Sequence, residues 1–437
     1  MAFLIKTIQF LGGLFIMVGI HELGHLLFAK LFNMRVNSYM IGFPPKLLKF
    51  KWGETEYSLG SIPLGGAVQI AGMVDESLDN HHLNHNPEPW EFRSKPAWQR
   101  LITILGGIIF NLISGMLIWI GLTYVMGHTY LPKDEVNKYG IVPNAIGSAM
   151  GFKTGDKIIK INGADFEDFN NIFAPNLLLS SNSYYTIHRE GKLLTLPIPE
   201  KIIEDLSNIK TSFFIRPIFP CLIQEVSSNG NAARAGLRAK DEIIELNHQP
   251  IFDRIDWPTT VKTCLGKIVE VVYLRNGTKM STCIEVTEEA LGIKWAEPLY
   301  RQLNYSFIES IPIGLGKAWA FIQTQSLAIW KLITGKMSIK KSLSGPIGIA
   351  QNFGDQFIGY KFWTMVAYLS IGIALVNLLP IPALDGGHAL CILYEALSGR
   401  KLSDRFLQRI QKLGMIFILL LTLYALGNDI RKLILSS

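Results

Sequence analysis

The stretch FLGGLFIMVGIHELGHLLFAKLFN, residues 10–33, places two histidines and a glutamate inside an apolar run long enough to cross a lipid bilayer. Ionisable groups are costly to bury in such a run and mark function by default. On a helix, His21 and His25 are four positions apart and share a face, and Glu22 lies next to that face. This HExxH spacing offers two neutral imidazoles to zinc and a carboxylate that acts as general base toward water on the metal. As a bare pattern HExxH also arises by chance; its setting inside a span makes coincidence a poor account.

Outside this stretch the chain has a membrane-protein balance. Of its 437 residues, 49% are hydrophobic and 18% charged, and the mean hydropathy is positive. Further apolar stretches cover 101–126, 362–390 and 413–426, so four transmembrane helices are expected. The N-terminal run has no small-residue cleavage site and stays apolar through Leu26, Leu27 and Phe28, which reads as a span and not a cleaved signal. Arg35, Lys46, Lys49, Lys51, Arg93 and Lys95 lie between the first two spans, and Arg400, Lys401, Arg405, Arg409 and Lys412 between the last two. Positive charge collects on the cytoplasmic side, which puts both connections there and the long segment 127–361 opposite. The net charge of +7 follows from this bias, so no nucleic-acid partner is expected. Cys221, Cys264, Cys283 and Cys391 have no metal-type spacing, and a Cys264–Cys283 disulfide is compatible with an oxidising compartment.

The long segment contains a duplication. Gly151, Asp156, Ile158 and Asn162 recur as Gly236, Asp241, Ile243 and Asn247, each pair 85 residues apart. Each copy reads as a short helix ending at a glycine, a turn with an aspartate, and an alternating strand closed by an asparagine turn. The pattern resembles the PDZ domain, an α+β module that binds an extended peptide by adding it to a sheet edge. A spacer with a disused groove remains the plainer alternative. Beyond the repeat, IPIGLGKAWAFIQTQSLAIWKLITG, residues 311–335, is apolar at helical spacing but carries Lys317, Gln323, Gln325 and Lys331, which predicts a helix on the membrane surface.

A catalytic zinc site wants a third protein ligand and a position for water. NLLPIPALDGGHAL, residues 377–390, supplies the candidate: Asp385 is the one carboxylate between Lys361 and Glu395, with Pro380, Pro382, Gly386 and Gly387 expected to break the helix around it. Broken backbone at membrane depth is tolerated where it lines a buried site. His388 is the rival ligand. His21 and Asp385 each lie roughly 30 to 35 Å of helix from the outer start of their spans, so both fall near the cytoplasmic edge if the spans run in the same direction. Four spans give that direction; a fifth, at 311–335, would put Asp385 on the far side.

HExxH in the first span, NxxPxPxLDG in the penultimate one and a tandem PDZ-like repeat together resemble the site-2 protease family of intramembrane zinc metalloproteases, over essentially the whole chain. SIPLGGAVQIAGMVDE from Ser61 resembles the family's membrane-associated β-hairpin, GGIIFN at 106–111 its second-span motif, and LSGPIGIA at 343–350 its segment before the third span. Two departures are Gly372, where relatives often carry asparagine, and Pro44, where they often carry glycine. The resemblance implies zinc held by His21, His25 and Asp385, with Glu22 as the catalytic glutamate. It also implies single-span membrane substrates, such as a pre-trimmed anti-sigma factor or signal-peptide remnants, cut in the bacterial inner membrane near its cytoplasmic side. Asn377 and the stretch Val68, Gln69, Ile70, Ala71, Gly72, Met73 are the expected contacts to an unwound substrate segment. The resulting plan is a first span at 1–33, a connection with the hairpin at 34–97, a second span at 98–127 and PDZ-like domains at 128–215 and 216–298. An amphipathic segment at 299–360, a third span at 361–395, a connection at 396–411 and a fourth span at 412–430 complete it. Two other classes compete: a non-catalytic membrane-anchored PDZ scaffold, which has no need of Glu22 or Asp385, and a metal transporter, which would spread ionisable groups along several spans.

Overall fold

The computed structural model describes residues 2–73, 87–208, 213–287, 291–338, 344–400 and 402–434. Residues 74–76 of the expected hairpin stretch, Leu343 and Lys401 lie outside them. The chain divides into two compact units, 1–127 with 304–437, and 128–303.

In chain order the first unit comprises α1 (Ala2–Leu31), strands β1 (Val36–Trp52) and β2 (Thr55–Ile70), α2 (Ala97–Met126), α3 (Phe307–Ile333), α4 (Pro346–Gln351), α5 (Gly359–Asn377), α6 (Asp385–Ser398) and α7 (Asp404–Ile434). Among the described residues α1, α2, α5 and α7 contain the four stretches long and apolar enough to cross a membrane, as the sequence predicts. Small residues set how closely these helices approach, as membrane helices require. A Cβ on Gly24 would lie 2.2 Å from Gly106 O, and one on Gly115 would lie 2.6 Å from Ile371 Cγ1, so α1 and α5 both pack close against α2. Ser370 Oγ, donating to Asn111 O at 2.8 Å, and the 2.8 Å contact between Ser114 and Ser370 hydroxyls hold α5 to α2.

Three features differ from the sequence expectation. The third span, 361–395, is broken at its prolines: α5 stops at Asn377 and α6 starts at Asp385. Pro380 and Pro382 lack amide donors and force Leu379 and Ile381 out of helical geometry. Gly386 and Gly387 do not break the helix; they sit in the first turn of α6, where a Cβ would lie 2.4 Å from Leu378 O and Ile381 O respectively, so their bareness lets the broken segment fold back on the helix. The fourth helix starts at Asp404, well before 412, which shortens the expected connection; Gly399, left-handed at φ 66°, ends α6. In the amphipathic segment, α3 packs its small-residue face on other helices. A Cβ on Gly314 would lie 2.6 Å from Ile120 Cα, Ala318 is fully buried beside Trp119, Ala367 and Ile371, and Lys317 Nζ donates to Thr123 Oγ1 at 3.2 Å.

Strands β1 and β2 form one sheet in which Ser38–Ile41 lies between two runs of β2, Glu56–Leu59 and Gly66–Gln69. The last run, Gly66–Ile70, pairs with β1 alone and presents an edge without a strand partner among the described residues.

The second unit has two hydrophobic cores, one around Ile158, Tyr185, Ile187 and Phe214 and the other around Ile223, Ile243, Val271 and Ile284. Strands Lys157–Ile161, Tyr184–Arg189 and Lys192–Pro197 form one sheet, and Cys221–Val226, Glu242–Leu246, Lys267–Arg275, Thr278–Val286 and Ile293–Trp295 belong to another. The 85-residue repeat is visible atom by atom. Arg189 clasps Asp156 at 2.7 and 2.6 Å and reaches Gly151 O at 2.7 Å; Arg275 clasps Asp241 at 2.8 and 2.7 Å and reaches Gly236 O at 2.8 Å. Asp156 and Asp241 also accept from the amides of Lys153 and Arg238, each at 2.8 Å. The sequence places the aspartates but not their arginines, because the partner comes from a strand beyond the aligned motif. Asp156 is 1% exposed, so Asp156→Ala should cost the second unit about 3 kcal/mol by leaving the guanidinium without its counter-charge; a thermal or denaturant midpoint equal to wild type would contradict this. All four cysteines are free, so Cys264 and Cys283 form no disulfide; Cys264 is buried and Cys283 exposed.

Candidate metal centre and its cavity

The two histidines of α1 and the aspartate that opens α6 come together. His21 Nε2 and His25 Nε2 lie 3.2 and 3.6 Å from Asp385 Oδ2 and 3.3 Å from each other. Among the described residues this is the group of histidines, cysteines and carboxylates that could hold a metal ion; His388 is not in it, although it lines the same cavity. Ligand atoms about 2.0 to 2.1 Å from a tetrahedral zinc stand roughly 3.4 Å apart, so the observed triangle has the edge lengths of three corners of such a site.

Proton placement supports the same reading. His25 Nδ1 donates to Thr103 O at 2.9 Å, so a neutral imidazole here carries its lone pair on Nε2. His21 Nδ1 lies 3.3 Å from the Asn111 side-chain amide, whose Oδ1 is buried without a partner among the described residues. A half-turn of that amide sets Oδ1 to accept the His21 Nδ1 proton and turns the second Nε2 lone pair inward. Two imidazole lone pairs and a carboxylate then point at one another, and Asp385 Oδ2 is buried with no hydrogen donor among the described residues. Such a donor set repels itself unless a cation sits among it, so these residues fit a zinc ion.

Helix α2 frames the whole arrangement. Thr103 and Asn111 orient the rings, and Gly107 leaves them room: a Cβ there would lie 2.5 Å from His21 Cε1 and 2.6 Å from His25 Nε2. Arg100 Nη1 donates to Glu395 Oε2 at 2.9 Å and fixes α6, hence Asp385, to the same helix. Neither Thr103 nor the role of Asn111 is legible from motif spacing. Thr103 acts through its backbone carbonyl, and Asn111, the last residue of the GGIIFN stretch, is given no role by that resemblance.

The centre opens into a cavity of about 410 Å³ lined by His21, Glu22, His25, Asn377, Asp385 and His388, together with strand β2 and residues of α1 and α5. Strand β2 crosses α1 beside the glutamate, where a Cβ on Gly66 would lie 2.8 Å from Glu22 Cγ. Asn377, at the end of α5, brings its amide 3.4 Å from His21 Nε2. Of the expected substrate stretch, Val68, Ile70 and Met73 line the cavity, whereas Gln69, Ala71 and Gly72 do not. Strand alternation turns Gln69 away. Ala71 donates to Arg35 O and accepts from Phe92 N, so its backbone is already committed, and Gly72 stands at φ 72° in the turn beyond the strand. In their place Phe43, Gly65, Gly66, Ala67 and Gln411 reach the cavity. Ala383, also on its wall, has φ 78°, a conformation that residues with a Cβ rarely adopt.

The family model of peptidase family M50 matches residues 9–421. A protein of Borreliella burgdorferi named "Putative zinc metalloprotease" is 28% identical over 95% of this chain and 96% of its own length. The regulator of sigma E protease of Haemophilus influenzae is 28% identical over 99% of this chain and 100% of its own. The regulator of sigma-E protease RseP of Escherichia coli is 27% identical over the same shares.

Proposed function

The chain belongs to peptidase family M50, the site-2 type of metalloprotease, and from that premise we propose that it is a zinc-dependent endopeptidase that cuts single-span proteins within their transmembrane segments. The observation that carries this reading is the convergence of His21 Nε2, His25 Nε2 and Asp385 Oδ2 beside Glu22 on one cavity wall. His21, His25 and Asp385 would hold a zinc ion, which would supply Lewis-acid polarisation when bound. Glu22 takes a proton from the attacking water onto a carboxylate oxygen and delivers it to the departing amide nitrogen. Thr103 and Asn111 keep the imidazoles in the tautomer that offers Nε2.

A transmembrane helix hides its peptide groups in its own hydrogen bonds, so the substrate must unwind to present a carbonyl. The free edge of Gly66–Ile70 suits such an unwound segment, which it can hold as an added strand, with Asn377 bonding its backbone. The bias of Lys and Arg supports a multi-pass protein of a bacterial inner membrane with this site near the cytoplasmic side and segment 128–303 in the periplasm. The paired Asp–Arg clasps of that segment support two tandem PDZ domains, whose role would be to screen substrates by their external portion. Two of the relatives are named regulators of sigma E protease, and the family resemblance favours a trimmed anti-sigma factor as substrate, with signal-peptide remnants as a second class.

The test is cleavage of a synthetic single-span substrate by the purified protein in proteoliposomes. Cleavage should stop on chelation and return with added zinc; activity that survives complete metal removal would refute the reading. Gly107→Ala should weaken zinc binding more than roughly tenfold, because its methyl group displaces both imidazoles from their positions. Zinc retained by this variant against graded chelator as by wild type would contradict the assignment of Gly107 as the space that the rings need.

A further inference from the structure

Gln411 lies on α7, buried to 2% exposure, and faces the cavity of the metal centre. Neither its Nε2 nor its Oε1 has a hydrogen-bond partner among the described residues. Buried amides are almost always paired, and leaving both ends of one unmade is costly enough that an apolar residue would be the stabler choice. The position is also tightly fixed. Gly414, one turn further on, packs so closely that a Cβ there would lie 1.8 Å from Pro382 O, which docks α7 on the broken segment leading to Asp385. Gln411 is therefore held at the cavity wall with its polar end unused.

Resting on the proteolytic reading above, we infer that Gln411 binds the backbone of the unwound substrate, its Nε2 donating to a peptide carbonyl and its Oε1 accepting from a peptide N–H. The chemistry follows from the strand. An extended segment points successive peptide groups alternately to its two sides, and pairing with the edge Gly66–Ile70 consumes only one side. The other side's N–H and C=O groups face the buried cavity, where they need partners. A carboxamide carries one donor face and one acceptor side by side and so matches a peptide group in both senses. It reads the backbone without reading the side chain, which suits an enzyme whose substrates share unwinding and not sequence.

The experiment uses the full-length protein with a synthetic single-span peptide as probe, in two measurements: cleavage kinetics of the zinc-loaded enzyme, and affinity of the fluorescently labelled peptide for chelator-stripped protein. Gln411→Leu and Gln411→Met should each raise KM and the metal-free Kd about tenfold, the value of one or two net hydrogen bonds. Zinc content should be unchanged and the thermal midpoint equal or higher. Unchanged KM and Kd would overturn the inference, as would a loss confined to kcat, or loss of zinc or folding in both variants, which would make Gln411 structural. A wild-type protein that neither cleaves nor holds zinc would instead refute the proteolytic reading, so the two failures are distinguishable.

Discussion

Glu22→Gln should abolish cleavage, with kcat falling by at least about 100-fold and up to about 10,000-fold, while zinc content stays at the wild-type level. The amide replaces a base with a group that cannot accept the water proton, yet it is isosteric and leaves His21, His25 and Asp385 in place. The close approach of Gly66 to Glu22 Cγ is preserved by the substitution, so the cavity keeps its shape. Metal analysis and single-turnover kinetics on the same preparation separate the two readouts. Cleavage within a few fold of wild type would remove Glu22 from the mechanism.

Asp385→Asn should reduce zinc affinity and activity together, each by more than roughly 100-fold, because an amide is a poor ligand beside two imidazoles and substitutions even beyond the ligand shell cost 10- to 100-fold. Among the described residues the buried Asp385 Oδ2 has no hydrogen donor, so its negative charge is available to a cation. His388→Ala, in the same cavity, should keep its zinc. The reverse pattern, with metal lost in His388→Ala and kept in Asp385→Asn, would reassign the third ligand.

Much of the site is legible in the sequence because the membrane setting makes ionisable residues conspicuous. His21, Glu22 and His25 announce themselves by helical spacing in an apolar run, and Asp385 by standing alone among apolar neighbours. Their juxtaposition also follows, since both lie at similar depth on spans that run in the same direction. What escapes is carried by groups without a side-chain signal. Thr103 orients His25 through a carbonyl, Gly107 acts by lacking a methyl group, and the backbone of Ala71 is committed to hydrogen bonds with Arg35 and Phe92 that no local pattern encodes. Gln411 is hidden differently. Among the charged residues near the start of α7 it reads as one more polar position, and only the packing of Gly414 on Pro382 turns it toward the cavity.

The spans were similarly uneven. Hydropathy finds all four helices, but it runs through the break between α5 and α6, since Leu378, Leu379 and Ile381 are as apolar in a loop as in a helix. The prolines mark the break and the glycines beside Asp385 do not extend it. The same limit applies to α3, where the sequence reading rests on Lys317, Gln323, Gln325 and Lys331, and Gly314 and Ala318 become its packing face in the fold.

The most direct measurement is to map, by mass spectrometry, the new termini produced when the purified protein in proteoliposomes cuts a single-span substrate whose external domain has been removed. Peptide-bond hydrolysis by the buried centre predicts termini inside the hydrophobic segment, absent with Glu22→Gln and after chelation. Termini confined to the aqueous flanks, or the same termini produced by Glu22→Gln, would contradict it.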